Sequence, residues 1–452
     1  PNTPTFQDRL LVNDGAGNFQ LSPAALPKNY TSKSCVKAAD FDRDGDLDLF
    51  VGGRVVPGQY PRPASSLILR NDSQSGQPKF TDVTPRLAKD LTNIGLVCDA
   101  LWTDYDNDGW MDLLLAGEWM PLTLLKNVKG TFQLPAEQPL ASAVGWWNSL
   151  AGADFDGDGD TDYIAGNLGQ NSLNRATDNE PIAIYAKDFD NNGFYDAIPT
   201  VFLPDGNGQR REFPFHGRED LIKQMIAMRA RFPYYKDFAS ASVDKLLKEE
   251  ELKDAIILKA NYLKTAYLEN RSTGGEASFI LHELPVEAQL APVFGMIADD
   301  FDQDGRADVL LVGNDYGNEV SIGRLDALDG LLLLGNGKGG FRALQPEASG
   351  FYVPGNAKGL ARLTAADGTP LIVATQNRGP IRIFRSTRPA RTVRLKPTDS
   401  AALLTYSDGR KQKMEVPYGQ SFLSQTSREL YLSPGVKSVE IVDFRGQKRR
   451  LF

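Results

Sequence analysis

Short runs of alternating apolar and polar positions recur along this chain and predict strands. Leu47-Asp48-Leu49-Phe50-Val51 and the stretches 111–116 and 307–312 each leave a tight, aspartate-rich turn. Apolar or small-residue runs, Val36-Lys37-Ala38-Ala39 and Asp99-Ala100-Leu101-Trp102 among them, lead into those turns. A second pattern lies between the turns. Arg9-Leu10-Leu11-Val12 reads as a strand, Asn13-Asp14-Gly15-Ala16-Gly17-Asn18 as a turn, and Phe19 starts the next strand. Looser versions return at 67–80, 122–132, 266–279 and 331–341.

Alternating the two patterns gives four-stranded units of about 40–50 residues, which predicts an all-β propeller. Units are expected at about 35–84, 97–135, 146–181, 182–285 and 293–345, with a degenerate unit lacking the aspartate turn at 351–386. Residues 6–20 supply only an outer hairpin, so its inner half is expected from the C-terminal region or from upstream sequence, since a closed ring removes exposed edges. Seven units are expected and six are the alternative. Between 217 and 261 the spacing turns helical: Leu221, Ile222, Met225, Ile226 and Arg229 trace one face and Pro233 stops it. This predicts a helical insertion in the fourth unit, either a packed cap or a partner-docking surface.

The turns carry the chemistry. Carboxylates or an amide stand at positions 1, 3, 5 and 9 of five nine-residue loops, and the position-7 carbonyl is free to join them. The five sets are Asp40, Asp42, Asp44, Asp46 and Asp48; Asp104, Asp106, Asp108, Trp110 and Asp112; Asp154, Asp156, Asp158, Asp160 and Asp162; Asp188, Asp190, Asn192, Phe194 and Asp196; and Asp300, Asp302, Asp304, Arg306 and Asp308. Position 6 is glycine each time: Gly45, Gly109, Gly159, Gly193 and Gly305. Hard oxygen donors at alternate positions of a tight turn suit Ca²⁺, and about five structural ions are expected. An EF-hand would need a carboxylate at position 12, where Val51, Leu115, Ala165, Pro199 and Leu311 stand. Catalytic carboxylate pairs occur as one unusual site rather than five copies of a pattern.

Charge changes meaning in that light. The formal net charge of −8 is that of an ion-free chain, and five divalent ions would carry it to about +2. From Ala390 onward, 12 Lys and Arg face 6 Asp and Glu, a basic tail that reads as a solvated face. Loops without the bidentate Glu bind Ca²⁺ weakly, which points to an extracellular setting. Cys35 and Cys98 precede the first two loops in opposite strand parity and read as thiols rather than a disulfide. No apolar run reaches the roughly 18 residues of a membrane helix, and the start at Pro1 reads as the product of a removed leader or upstream region.

Other chemistry is sparse. The two histidines, His216 and His282, are far apart, and no zinc-protease, nucleophile-elbow or phosphate-loop motif occurs. His216 near Arg218, Tyr234 and Tyr235 is a set that a polysaccharide lyase on a propeller scaffold uses for proton abstraction, against the plainer reading of a surface His. All five tryptophans, Trp102, Trp110, Trp119, Trp146 and Trp147, fall between 102 and 147. Most are expected in the packing between blades, with Trp119 and Tyr60-Pro61-Arg62-Pro63 as the exposed exceptions.

These residues carry a resemblance. The Asp-Phe-Asp-x-Asp-Gly-x-x-Asp loops with Asn-Asp-Gly-x-Gly-x-Phe turns resemble the FG-GAP/VCBS repeats of integrin α-subunit propellers and their bacterial relatives. The tail Val416-Pro417-Tyr418-Gly419-Gln420-Ser421-Phe422-Leu423-Ser424-Gln425-Thr426-Ser427-Arg428, with Ser438-Val439-Glu440-Ile441, resembles the ASPIC/UnbV module of cartilage-acidic-protein-like proteins. It departs from that pattern at Asp443-Phe444-Arg445-Gly446, where the family tends to have Trp-Pro-Asp-Gly. The resemblance implies a propeller over 1–389 and a small β module over 390–452. It implies a non-enzymatic, bacterial, extracellular or outer-membrane-surface binding and adhesion protein, with a protein or glycan partner, no nucleic acid, and an outer-membrane assembly as its setting. A lyase-like enzyme on the same scaffold is the alternative.

Overall fold

Every aspartate loop joins two antiparallel strands in one register. The residue before position 1 pairs with the position-9 aspartate: Ala39 with Asp48, Thr103 with Asp112, Ala153 with Asp162, Lys187 with Asp196 and Asp299 with Asp308. The computed structural model describes residues 3–318, 322–386 and 391–452. It is an all-β, propeller-like fold of antiparallel sheets.

Five of the sheets stack through their innermost strands, and we number them as blades. Blade 1 holds Ser32–Ala39, Asp48–Val55, Leu67–Asn71 and Phe80–Asp82; blade 2 holds Leu96–Thr103, Asp112–Pro121, Thr123–Val128 and Thr131–Gln133. Blade 4 holds Val293–Asp299, Asp308–Gly313, Leu331–Gly335 and Phe341–Leu344, and blade 5 only three strands, Ala357–Thr364, Pro370–Gln376 and Arg382–Arg385. Each gap between blades has its own apolar core, because a sheet in a propeller must bury both faces. Phe41, Trp102 and Phe132 fill the first gap, Tyr105, Leu124 and Tyr163 the second, Phe155, Tyr267 and Leu311 the third, and Leu310, Phe351 and Leu360 the fourth. The hairpin of Leu11–Asn13 with Phe19–Leu21 stands as a separate two-stranded sheet, exposed at every strand position. Among the described residues, neither seven nor six complete four-stranded blades are present.

Blade 3 corrects the sequence-based boundaries. Its inner hairpin, Ser149–Ala153 with Asp162–Gly166, pairs with Ala266–Asn270 and Phe279–Glu283. The expected units at 146–181 and 182–285 are therefore one blade interrupted by a large insertion. The insertion carries its own sheet, ordered Arg210–Pro214, Asp196–Pro204, Ile182–Lys187, Ile256–Ala260, and so contains the fourth aspartate loop. Short helices at Arg218–Gln224, Met228–Arg231, Tyr235–Ala239, Val243–Leu246 and Glu249–Leu252 pack on it through Leu221, Met225 and Leu246 against Tyr185 and Ile198. The first helix stops at Gln224, and Ile226 is 73% exposed rather than part of the buried face.

The two additions sit on opposite sides of the blades. The insertion leaves at Gly166 and returns at Ala266, the strand ends remote from the aspartate loops, and packs there on Leu96, Trp119 and Trp146. The C-terminal module docks on the loop side. Its sheets are Arg391–Arg394 with Glu429–Leu432, and Lys411–Glu415, Asp399–Tyr406, Val436–Asp443 and Lys448–Arg450 in that order. Among the described residues these strands pair only with one another, and the expected boundary at 389/390 lies outside the described residues. The connecting segment 416–428 enters between the blades: the Met296 N–H donates to Ser421 Oγ at 3.1 Å, the Phe422 ring lies 5.1 Å from Phe294, and Lys37 donates to the Gly419 carbonyl.

Candidate metal centres

The five loops share one backbone, and it is built by local hydrogen bonds. The position-5 N–H donates to the position-3 carboxylate, as in Asp44 to Asp42, Asp158 to Asp156 and Asp304 to Asp302 at 3.1–3.3 Å. The position-7 N–H donates to position 5, as in Trp110 to Asp108 and Phe194 to Asn192, both at 2.8 Å. These side chains thereby curl the chain around a common centre. Position 6 has φ from +82° to +107°, which explains its glycine. Position 4 is left-handed too, at Arg43, Asn107, Gly157, Asn191 and Gln303. That second left-handed position is invisible in the sequence because four of its five residues have a side chain.

The curl converges carboxylates. Asp40, Asp42 and Asp48 bring one oxygen each to within 4.8 Å of one another, as do Asp104, Asp106 and Asp108; Asp154, Asp156 and Asp162; Asp188, Asp190 and Asp196; and Asp300, Asp302 and Asp304. The other predicted side chains, Asp44, Asp158 and Asn192 among them, mainly accept backbone N–H groups of their own loop. Buried oxygens of Asp40, Asp46, Asp112, Asp154 and Asp160 have no hydrogen-bond partner. An unpaired buried carboxylate oxygen is costly, so a cation suits these loops. Without an ion, desolvation and like-charge neighbours push Asp40, Asp104 and Asp154 up to about 6, Asp162 and Asp308 to about 7, and Asp48 and Asp160 to about 8.

The ninth aspartate is also a structural hub. One oxygen accepts the position-2 N–H, from Phe41, Phe155, Phe189 or Phe301. In blades 1 to 4 the other oxygen accepts from the third strand: Asn71 N–H to Asp48, Asn127 to Asp112, Asn270 to Asp162 and Gly335 to Asp308, at 2.7–2.9 Å. The Asn127 and Asn270 side chains then bond the position-8 carbonyls, Met111 and Thr161, and the position-2 carbonyls of the preceding loop, Phe41 and Tyr105. Sequence reasoning missed these asparagines. The signal was available as an Asn closing the outer-hairpin strand.

The second face of each loop is aromatic. In the loops of blades 1 to 3 the position-2 ring meets a ring from the first residues of the next blade's fourth strand: Phe41 with Phe132 at 5.4 Å, Tyr105 with Phe279 at 6.2 Å and Phe155 with Phe341 at 5.3 Å. Trp102 and Trp147 are fully buried, as expected. Trp119 is a correction, because the insertion covers it: it is 6% exposed, donates to Tyr60 Oη at 2.8 Å and packs edge-on to Trp146. Pro61 is buried with it. Trp110 lies beneath the Arg43 guanidinium, 4.2 Å away.

The module contacts three clusters. Lys413 reaches Asp104 at 3.4 Å and Asn107 at 2.7 Å, and the Asp104 N–H donates to Glu415 at 3.0 Å. Arg410 donates to the Gly305 carbonyl at 2.7 Å, Ser433 to Asp300, and Arg445 packs on Gly45.

Arg218 donates to the Phe232 and Pro233 carbonyls and stacks on Tyr235, which donates to Glu219. Tyr234 is 71% exposed. His282 contacts Glu269 at 2.7 Å and stacks on Tyr267. Cys35 and Cys98 are buried free thiols, each pushed up to about 12 by burial.

Fold and loops together define an all-β, propeller-like scaffold carrying five acidic clusters able to hold cations. In sequence, the chain matches the FG-GAP-like repeat over residues 7–51 and 104–165. No curated protein matches it. Among solved structures, the "Crystal structure of BBS1N in complex with ARL6DN, soaked with lead" aligns over 89% of this chain and 96% of that one at 11% identity. Its TM-score of 0.27 is too low to bear on the fold.

Proposed function

We propose that this chain is a non-enzymatic, calcium-stabilised binding protein of the extracellular or bacterial outer-membrane surface, acting in adhesion or as part of an outer-membrane assembly. Its partner is a protein or glycan, and residues 390–452 form an ASPIC/UnbV-like module. The reading is supported by one observation above others: five loops of one backbone, each converging three carboxylates, several with orphaned buried oxygens. Ca²⁺ bound there supplies the positive charge that the converging carboxylates lack. The ligands we assign are the position 1, 3, 5 and 9 side chains and the position-7 carbonyls of Asp46, Trp110, Asp160, Phe194 and Arg306. In blades 1 to 4 the aspartates at position 9 then tie each clamped loop to its outer hairpin. The blade surface becomes a fixed platform, which lowers the ordering cost of recognition.

The test is exhaustive chelation followed by Ca²⁺ return, with melting temperature and binding to surface-glycan and surface-protein arrays as readouts. The melting temperature is expected to fall and recover, with binding following it. Full binding and an unchanged melt in chelator would overturn the reading.

A further inference from the structure

Among the described residues blade 5 is short by one strand, and the gap it leaves is specific. In blades 2, 3 and 4 the fourth strand brings Phe132, Phe279 or Phe341 against the aromatic at position 2 of the preceding loop. Blade 5 ends at Arg382–Arg385, which pairs with Pro370–Gln376 and with no second strand among the described residues. Phe301, at position 2 of the fifth loop, meets no fourth-strand ring among the described residues; the Arg362 guanidinium lies 5.2 Å from it instead. A cavity of about 840 Å³ opens there, walled by Phe301, Leu332, Leu334, Ile372 and Ile383. Ile381, just before the open strand, and Ile383 on it are 61% and 64% exposed.

We propose that this edge binds an extended segment of a partner protein by strand addition, antiparallel to Arg382–Arg385, with an aromatic side chain entering the cavity toward Phe301. An open edge offers unpaired backbone groups, and a pocket beside it selects side chains. The register of the complete blades places that aromatic at the Arg385 end, where the fourth strand starts in blade 1 (Asn71 opposite Phe80) and blade 4 (Gly335 opposite Phe341). Charge fixes the remaining chemistry. Arg382 lies on the open strand and Arg342 on the cavity wall, and neither has an ion-pair partner among the described residues, whereas Arg385 is held by Asp367 and Arg362 by Asp299. The partner segment is therefore acidic as well as aromatic. Asp300 and Asp302 line the loop end of the cavity and keep its acids at the arginine side.

This names a site for the binding role proposed above and rests on that reading for its choice of a protein partner. The probe is a fluorescein-labelled peptide, Gly-Asp-Phe-Asp-Leu-Glu-Val, titrated with the Ca²⁺-loaded chain and read by anisotropy. Saturable binding is expected, about tenfold weaker for the Phe-to-Ala peptide, for a peptide N-methylated at alternate amides, and for the variants Arg342→Glu and Ile383→Asp. Both protein changes are at exposed side chains, and their melting curves check the fold. No binding, or equal binding by the N-methylated peptide, overturns strand addition; equal binding by the Ala peptide overturns the cavity. Dimerisation that the peptide reverses assigns the edge to a second copy and overturns the partner. A melt that still responds to Ca²⁺ alongside absent peptide binding removes this site and leaves the calcium reading standing.

Discussion

The Asn127 side-chain amide of blade 2 donates to the Phe41 carbonyl inside the first loop of blade 1, at 2.9 Å. The same side chain also donates to Met111 O and accepts from the Gly130 N–H, with no exposure to solvent. One amide thus joins two aspartate loops that are separate in sequence. Asn127→Ala would leave two carbonyls and one N–H buried without partners, a cost of about 2–4 kcal/mol. Asn71→Ala, at a half-buried site where the side chain donates to Leu47 O and accepts the solvent-facing Ser73 N–H but reaches no second loop, is expected to cost about 1 kcal/mol. Denaturant titration of the two variants checks the ranking, and equal costs would remove the inter-blade role.

Asp156→Ala is expected to change sign with the metal. Burial and the neighbouring Asp158 charge raise the proton affinity of Asp156, so removing its carboxylate relieves that cost in the ion-free chain. In chelator the variant should melt at or slightly above the parent. With calcium at about 100 times its dissociation constant, a filled site contributes about 2.7 kcal/mol, and the variant should lose most of that. Calorimetry in both buffers checks the crossover. Equal destabilisation in both would mean that Asp156 serves the loop only through its hydrogen bonds.

The pH response should reverse in the same way. In the ion-free chain these carboxylates have folded pKa values above the ordinary 3.8: about 6 at Asp40 and Asp154, about 7 at Asp162 and Asp308, and about 8 at Asp48. Raised acids stabilise the fold below about pH 4 and lose that stabilisation as pH rises through 6 to 8. In chelator the melting temperature should therefore fall between pH 5 and 8. With calcium it should rise over that interval, because the ion binds the deprotonated form. Parallel curves would exclude the loops as the titrating sites.

The loops were legible because each is a local object: nine residues set their own turn, whatever sheet they enter. The sheet they enter was not legible. Asp188–Asp196 follows the other loops in spacing and glycine, with Asn192 in place of one aspartate, yet belongs to the insertion, because Tyr163 pairs with Leu268 across about a hundred residues. Nothing local in either strand encodes that pairing. Trp119 failed for the same reason: a Trp-Met-Pro stretch reads as a loop, and its cover, Ile182 and Leu258, comes from the inserted sheet. Asn127 could have been found, since a buried-strand ending in Asn recurs at Asn71 and Asn270.

Lys37 is the remaining test of how the module is seated. It lies on the innermost strand of blade 1, 3% exposed, and contacts Asp99 of blade 2 at 2.7 Å. It also donates to the Gly419 carbonyl of the segment that enters between the blades. Asp99 is fully buried and accepts the Leu150 N–H of blade 3 at 3.1 Å. One lysine therefore links two blades directly, a third through its partner, and the C-terminal segment. Lys37→Met removes one ion of a buried pair, which costs about 3–5 kcal/mol because the other is left unpaired. Pairing it with Asp99→Asn removes the stranded charge while keeping an acceptor for Leu150, and should recover most of that loss. The recovery is where the two effects separate. If Lys37 also anchors the segment, the double variant will regain its melting temperature yet be cut faster by protease between 416 and 428. Unchanged cleavage would confine Lys37 to the ion pair.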